Sequence, residues 1–301
     1  MSFNHYPIIK IQSKDEIEQL GTKEKYWIHD IASNEKKLFK IGRENTGENW
    51  AEMVAYKIGN HIGLKVAKYE LASYNSKLGT ISTNFVQESE RLIHGNELLV
   101  KIDKSYPVDR FYKVREYKLD TVLNLMKILE KAENIEVKSA LDDFIGYIVF
   151  DCLIANQDRH HENWGLIVGL EKKLRLAPSF DHASGFGCKV SENEAVGRIA
   201  AKDHRYNIEA FCKRAKTPFY DKDSKQLSTI DACRVLIKHD KESFCKWVEK
   251  ISMIKISFYE DILSKIPKEF ICDYSKLFAL EILKENTKRL KSLKIEVCKN
   301  E

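Results

Sequence analysis

The first third of the chain alternates short apolar runs with polar turns, which is typical of β-strands. Residues 26–29 and 37–41 are two such runs, and the polar stretch 32–35 between them has good turn chemistry, which predicts a β-hairpin. Residues 66–72 and 79–87 form a second pair of strand-like runs. The pattern therefore predicts a β-rich N-terminal part.

A helix with one apolar face is predicted between the two strand pairs. Val54, Ile58 and Ile62 recur every four residues, which is the spacing of side chains on one helix face. The helix is expected to begin near Gly47, and Gly63 suits its C-terminal end.

Helical periodicity replaces the strand patterns after about residue 90. Asp120 is expected to cap a helix that continues to Leu129. Ser139 and Asp142 resemble a capping box, which predicts the start of an apolar helix through residues 141–152.

Two short strands interrupt the helical part. They are predicted at residues 165–168 and 174–177, joined by a charged turn, and helical periodicity returns in about four segments from residue 206 onwards. The expected fold class is α+β, with a small β-rich lobe at residues 1–90 and a larger, mainly α-helical lobe at residues 91–301.

The composition fits a globular protein. Hydrophobic residues make up 43% and charged residues 32% of the 301 positions, unlike a disordered or fibrous chain. The formal charge is +5, with basic residues scattered among acidic ones, so a nucleic-acid partner is not expected. The most apolar run, residues 144–150, is too short to span a bilayer.

Cysteine usage and the N-terminus predict the compartment. The seven cysteines are odd in number and include no C-x-x-C pair, which disfavours a disulfide framework or a zinc ribbon and fits a reducing environment. The N-terminus has no basic segment followed by a continuous apolar one. The expected location is the cytoplasm, and secretion without a cleaved signal stays open.

The loop after the apolar helix carries the most informative polar residues. Asp158 lies in this loop, Asn163 follows five residues later, and Asp181 comes directly after the second strand of the hairpin. Phosphoryl transfer needs a carboxylate that accepts the proton of the attacking hydroxyl, and amide and carboxylate oxygens that hold magnesium. Because a hairpin brings its two ends together, Asn163 and Asp181 are expected to share a metal ion, with Asp158 as the base.

The other half of such a site is predicted in the β-rich lobe. Lys40 ends a strand, and Glu52 lies on the first turns of the following helix. A kinase places a strand lysine on the ATP phosphates and holds it with a helix glutamate. Lys40 and Glu52 have the order and the element types that this pairing requires.

Two further segments are candidates for ATP contacts. Gly21, Thr22 and Lys23 form a polar turn before the first hairpin strand, placed to cover phosphates with backbone N–H groups, although a plain loop is an equally good interpretation. By analogy with kinases, the backbone of Val86 and Gln87 is the candidate adenine-binding hinge.

Together these blocks resemble the HipA-like serine/threonine kinases. Residues 156–163 resemble the N-x-D-R-H-x-x-N catalytic loop of that family, and residues 176–182 resemble its second metal-binding segment. Residues 38–40 and 48–52 resemble its lysine strand and glutamate helix. The resemblance covers roughly residues 20–190.

The resemblance implies a protein-kinase-like two-lobed fold that uses ATP and Mg²⁺ to phosphorylate serine or threonine. It implies Asp158 as catalytic base, Asn163 and Asp181 as magnesium ligands, Lys40 as phosphate contact and Glu52 as the residue that positions it. A protein substrate, autophosphorylation and an antitoxin-like partner follow from the same resemblance.

Other functions stay open at this point. A small-molecule or phosphoinositide kinase and a nucleotidyl transferase share this machinery, and a catalytically silent adaptor shares the fold. A nucleic-acid-binding module is the weakest alternative. Zinc binding is disfavoured because the spacing of the nearby histidines and cysteine fits no zinc motif. These side chains are His160, His161, His182 and Cys188.

Overall fold

The chain combines a β-sheet in its N-terminal part with a helical C-terminal part. The computed structural model describes residues 5–13, 15–17, 24–30, 35–131, 139–170 and 173–299. The strands are β1 (Ile9–Lys10), β2 (Glu16–Ile17), β3 (Lys25–Asp30), β4 (Glu35–Ile41), β5 (Tyr69–Tyr74), β6 (Lys77–Thr83), β7 (Arg91–His94), β8 (Gly165–Val168), β9 (Leu174–Leu176), β10 (Lys216–Tyr220) and β11 (Gln226–Ser228). The helices are α1 (Glu48–His61), α2 (Gly95–Ile102), α3 (Leu119–Glu130), α4 (Ala140–Ile154), α5 (Glu192–Ala200), α6 (Ile208–Arg214), α7 (Thr229–His239), α8 (Lys241–Ser252), α9 (Ile256–Ser264) and α10 (Asp273–Lys299).

The N-terminal sheet has the strand order β1-β5-β6-β4-β3-β2, and β1 and β5 are its parallel neighbours. The predicted hairpin is confirmed, because β3 and β4 pair antiparallel with Tyr26 opposite Phe39. Phe39 packs into an apolar cluster that also contains Tyr26 and Ile81. Since successive strand residues point to opposite faces, Lys40 faces the other side of the sheet, where α1 packs against β5 and β6.

The second predicted strand pair is confirmed with shifted ends. Strand β5 begins at Tyr69 rather than at residue 66, and Val66 makes an isolated parallel bridge to Ser179. Strand β6 ends at Thr83, so residues 84–87 are not a strand. Apolar residues there suggested a longer strand, but the chain leaves the sheet to reach the C-terminal part.

Helix α1 is confirmed in type and position. Val54, Ile58 and Ile62 are buried, as one apolar face requires. The chain turns away after the helix at Gly63, which has a φ of +71° that glycine adopts without steric cost. The face of α1 belongs to the same apolar cluster as α4, so the two parts of the chain share a core. The division into lobes at residue 90 stays a prediction.

The central element of the helical part is α4. Every residue of this helix except Asp142 is buried, which explains why its sequence is apolar on all sides. It packs against α3, α7, α8 and α10. The predicted apolar helix is therefore confirmed, and its C-terminal end places the polar loop that follows.

Two predicted helix starts are wrong in detail. Lys118 occupies the N-cap of α3, and Asp120 lies in the first turn, where its Oδ1 lies 2.8 Å from His239 Nε2. Ser139 is the N-cap residue of α4, but its hydroxyl donates to Asp143 rather than closing a capping box. In both cases the side chain that the local sequence assigned to the cap binds another polar side chain instead of the backbone of the first helical turn.

The β-structure of the helical part is larger than predicted. Strands β8 and β9 are confirmed, but β7, at a position expected to be helical, pairs antiparallel with β8. Strands β10 and β11 form a further hairpin in a region where only helices were expected. Five helices, α6 to α10, follow residue 206 in the described part of the chain, against about four predicted. Among the described residues no helix is both long and apolar enough to cross a membrane.

Candidate active site

The loop after α4 is fixed by its own polar side chains. Helix α4 ends at Ile154, and Ala155 turns the chain with a left-handed φ of 53°. Asn156 Nδ2 donates to Asp151 Oδ1 at 2.8 Å, and Asn156 Oδ1 accepts the backbone N–H of Asp158 at 3.3 Å. The backbone of Asp158 is thereby tied to the last turn of the buried helix.

A fully buried arginine joins this loop to the segment before Asp181. Arg159 Nε and Nη2 each lie 2.8 Å from a different carboxylate oxygen of Asp151. Its Nη1 donates to the carbonyl oxygens of Asn163 at 2.7 Å and Phe180 at 3.0 Å. Because Phe180 immediately precedes Asp181, one guanidinium holds together the backbones that carry both predicted metal ligands.

Asn163 and Asp181 supply the donor types that magnesium prefers. The Asn163 amide nitrogen donates to the backbone carbonyl of Asp158 at 2.5 Å, which leaves the amide oxygen as the ligand atom. Amide and carboxylate oxygens are hard ligands suited to Mg²⁺, which usually keeps waters and phosphate oxygens in its remaining positions. The donor set therefore fits a magnesium ion held jointly by protein and nucleotide.

Asp181 adopts a left-handed backbone conformation, with a φ of 57°. Its N–H donates to the Tyr69 hydroxyl at 3.4 Å, and the next N–H, of His182, donates to Glu52 Oε2 at 2.8 Å. Non-glycine residues with positive φ are uncommon, and aspartate tolerates this region better than most. The surrounding hydrogen bonds hold a conformation that the chain would not adopt by itself.

Lys40 and Glu52 lie together, as their order and elements predicted. Lys40 Nζ is 3.7 Å from Glu52 Oε1 and 3.4 Å from the Tyr69 hydroxyl oxygen, and all three side chains are buried. Burial alone would lower the pKa of Lys40, but Tyr69 and the carboxylates of Asp181 and Glu52 raise it above its ordinary value. The ammonium therefore stays charged beside the Asp181 segment.

Tyr69 is a site residue that the sequence did not reveal. It begins β5, its ring is buried, and its hydroxyl contacts both Lys40 and the backbone of Asp181. Burial, followed by the Glu52 carboxylate, raises the pKa of Tyr69 well above its ordinary value, so the hydroxyl stays protonated. A tyrosine in a strand has the same sequence signature as a core residue, which is why no pattern marked it.

The histidines near the loop are neutral groups in a packed environment. Burial is the main cause that lowers the pKa of His160 and His161 to about 4 and the pKa of His182 well below its usual range. His161 Nδ1 lies 2.7 Å from the Tyr106 hydroxyl, and His182 Nε2 lies 2.8 Å from Ser179 Oγ. In the part of the chain that the structure describes, three or more acidic, histidine or cysteine side chains do not gather into a metal-binding group.

The backbone N–H groups of the candidate hinge are hydrogen-bonded to neighbouring side chains. The backbone N–H of Val86 donates to Asn84 Oδ1 at 3.1 Å, and that of Gln87 donates to Glu90 Oε2 at 3.0 Å. Adenine recognition through these two N–H groups would therefore require Asn84 or Glu90 to release them.

The candidate phosphate loop cannot be placed in this site. Gly21, Thr22 and Lys23 lie outside the described residues. Their assignment to phosphate binding stays a prediction.

A known protein that is named as a kinase is similar to this chain in sequence. The serine/threonine-protein kinase CtkA of Helicobacter pylori (strain J99) is 29% identical over 140 residues, which are 45% of this chain. The aligned segment spans 39% of that relative's length.

Two solved structures share the fold. The crystal structure of the Helicobacter pylori proinflammatory kinase CtkA superimposes with a TM-score of 0.77 at 21% identity, covering 97% of this chain and 99% of that one. HipA, in a complex of the Shewanella oneidensis MR-1 toxin–antitoxin system with HipB and operator DNA, gives a TM-score of 0.59 at 11% identity, covering 96% of this chain and 67% of the other. The expected α+β kinase-like fold is confirmed.

The model of the HipA-like C-terminal domain matches residues 10–234, which are most of the chain. That range contains all the residues described in this site. The protein therefore belongs to the HipA-like C-terminal domain family.

Proposed function

We propose that this protein is an ATP- and Mg²⁺-dependent serine/threonine protein kinase. The observation that carries the proposal is the buried contact of Lys40 with Glu52, whose other carboxylate oxygen accepts the N–H of His182, the residue after Asp181. The phosphate-binding half and the metal-binding half of a kinase site are thereby joined. Membership of the HipA-like family and the likeness to a named serine/threonine kinase support the same activity.

Each residue has one role in the proposed reaction. The oxygen of the acceptor hydroxyl attacks the γ-phosphorus of ATP, and ADP leaves. Asp158 accepts the proton that this hydroxyl loses. Lys40 binds the α- and β-phosphates, and Glu52 positions its ammonium. Asn163 and Asp181 would hold magnesium, which would supply positive charge that offsets the charge of the phosphates.

The remaining features of the proposal rest on family likeness and composition. We propose that ATP binds between a lobe of residues 1–90 and a lobe of residues 91–301, under the loop that contains Gly21, Thr22 and Lys23. The protein acceptors include the chain itself, and an antitoxin-like protein is a proposed partner. The cysteines are odd in number and include no C-x-x-C pair, which supports a reducing cytoplasmic location.

Intact-mass spectrometry after incubation with ATP and Mg²⁺ tests the activity. The natural chain is compared with Asp158→Asn and with Asp223→Asn, a matched control at an exposed aspartate in the turn before β11. We expect phosphoryl additions to the natural chain and to the control, and a rate lower by about a hundredfold or more for Asp158→Asn.

Other mass outcomes would replace the proposal. A nucleotidyl addition would make the protein a nucleotidyl transferase. If no addition occurs but ATP is converted to ADP only when a small alcohol or phosphoinositide is supplied, the protein is a kinase of that class. If ATP binds and no transfer to any acceptor is detected, the chain is a silent adaptor with a kinase fold.

A further inference from the structure

Two parallel bridges connect the Lys40 ammonium to the backbone that carries Asp181. In the first, Lys40 contacts Glu52, which accepts the N–H of His182. In the second, Lys40 Nζ donates to the Tyr69 hydroxyl, which also accepts the N–H of Asp181, both over 3.4 Å. The Glu52 carboxylate and the Tyr69 hydroxyl therefore both contact the Lys40 ammonium, and each accepts one of two consecutive backbone N–H groups.

The left-handed conformation of Asp181 makes this double contact possible. Successive N–H groups diverge in a regular strand, whereas alternation between left-handed and right-handed conformations turns them toward one side. With its φ of 57°, Asp181 directs its own N–H and that of His182 to neighbouring acceptors. The cost of the unusual conformation is offset by two hydrogen bonds, one of which depends on Tyr69.

The ring of Tyr69 is anchored independently of its hydroxyl. It belongs to an apolar cluster that contains Ala67, Ile167 and Phe180, at the junction of the N-terminal sheet with β8 and the Asp181 segment. The Lys40 ammonium lies 5.4 Å from the ring centroid, so the aromatic face also attracts the cation. Loss of the hydroxyl alone would leave both the packing and this attraction in place.

We propose that Tyr69 is a positioning residue, whose hydroxyl fixes the Lys40 ammonium relative to the metal-binding Asp181. The ion pair with Glu52 and the hydrogen bond to the Tyr69 hydroxyl would hold the ammonium from the protein side, so that its remaining N–H bonds can serve the nucleotide phosphates. This inference rests on the proposed ATP-dependent function. Tyr69 would then be a second residue, beside Glu52, that positions the Lys40 ammonium.

The test is Tyr69→Phe, measured by nucleotide affinity as well as turnover. The probes are adenosine, which has no phosphate for Lys40 to bind, and a non-hydrolysable ATP analogue with Mg²⁺. We expect a loss of about threefold to tenfold in affinity for the Mg²⁺–analogue, the size of effect expected when one long hydrogen bond is lost, and less than twofold for adenosine. The matched control is Tyr259→Phe, which removes a buried hydroxyl from α9 and should change neither affinity.

A double-mutant comparison separates positioning from general stability. On a Lys40→Met background, Tyr69→Phe should change the affinity for the Mg²⁺–analogue by less than twofold, because the ammonium that it positions is absent. Equal losses for adenosine and for the analogue, or an undiminished loss on the Lys40→Met background, would show that the hydroxyl only supports the fold and would overturn the inference.

The inference and the kinase proposal fail in different ways. If the natural chain binds the Mg²⁺–analogue but transfers no phosphoryl group, the kinase proposal fails, and the affinities still decide the role of Tyr69. If the natural chain does not bind the analogue, both are overturned. If the chain transfers phosphate and Tyr69→Phe matches it in affinity and turnover, only the positioning role is overturned.

Discussion

At the residue scale, the candidate site depends on a buried charge, the Arg159 guanidinium, whose five N–H groups all make hydrogen bonds. Arg159 pairs with Asp151 and also donates to the carbonyls of Asn163 and Phe180 and to Ser179 Oγ. A planar guanidinium can make these bonds at once, whereas an ammonium has three donors and no fixed fork. The same side chain therefore stabilises the fold and holds together the backbone segments that carry the two proposed metal ligands.

We expect Arg159→Lys to lower both stability and activity. Incomplete satisfaction of the buried Asp151 carboxylate should reduce the free energy of unfolding by about 3 kcal/mol. Denaturant unfolding measures this change, and Arg205→Lys, at an exposed arginine, is the control with an expected change within about 0.5 kcal/mol. An Arg159→Lys protein that unfolds like the natural chain would contradict the bracing role.

At the element scale, the segment after Asp181 is packed in place. Its turn ends in Gly187, which has a φ of +65° and lies against α10, where an added Cβ would be 2.5 Å from Phe278 Cε1. Phe186 is buried, and its N–H donates to the carbonyl of Ile154 at the end of α4. Residues 184–187 are therefore a packed turn that connects α10 to the site.

Gly187→Ala should destabilise the protein more than Gly63→Ala. Both glycines have positive φ, so both substitutions carry a conformational penalty of about 1–2 kcal/mol. Only Gly187 adds a steric clash, worth about 1–3 kcal/mol more, because the nearest atom to a Cβ on Gly63 is Lys250 Nζ at 3.7 Å. Thermal and denaturant unfolding of the two variants measure the difference. Equal destabilisation would mean that the turn moves away from α10 without cost.

Sequence periodicity correctly predicted the elements in which burial alone determines the order of apolar and polar residues. The apolar helix α4 and the hairpin β3–β4 are examples, since burial on all sides or alternation of faces leaves a clear pattern. Strands β7, β10 and β11 are short, and their pairing depends on distant segments, so local propensity did not mark them. In the site, Lys40 and Glu52 were predictable from chemistry and order, whereas Tyr69 acquires its role only from the folded geometry.

At the scale of the whole molecule, three neutral histidines surround the site. Burial is the main cause that lowers the pKa of His160 and of His161 to about 4 and that holds the pKa of His182 well below its usual value. In the unfolded chain such groups titrate near the ordinary value of about 6.5. Between these limits the unfolded state binds more protons than the folded state, so stability falls as the pH falls. Above pH 6.5 the contribution of the neutral histidines is fully present.

We therefore expect the free energy of unfolding to decrease from pH 6.5 toward pH 4, and His161→Asn to make this decrease shallower. One histidine contributes at most about 1.4 kcal/mol per pH unit in that window. Denaturant unfolding at pH 7.5, 6.0 and 5.0 measures the slope, and His204→Asn, at an exposed histidine whose surroundings change little on unfolding, is the control. An unchanged slope in His161→Asn would show that this imidazole takes up its proton over the same pH range in the folded and the unfolded protein, which would contradict the lowering of its pKa by burial.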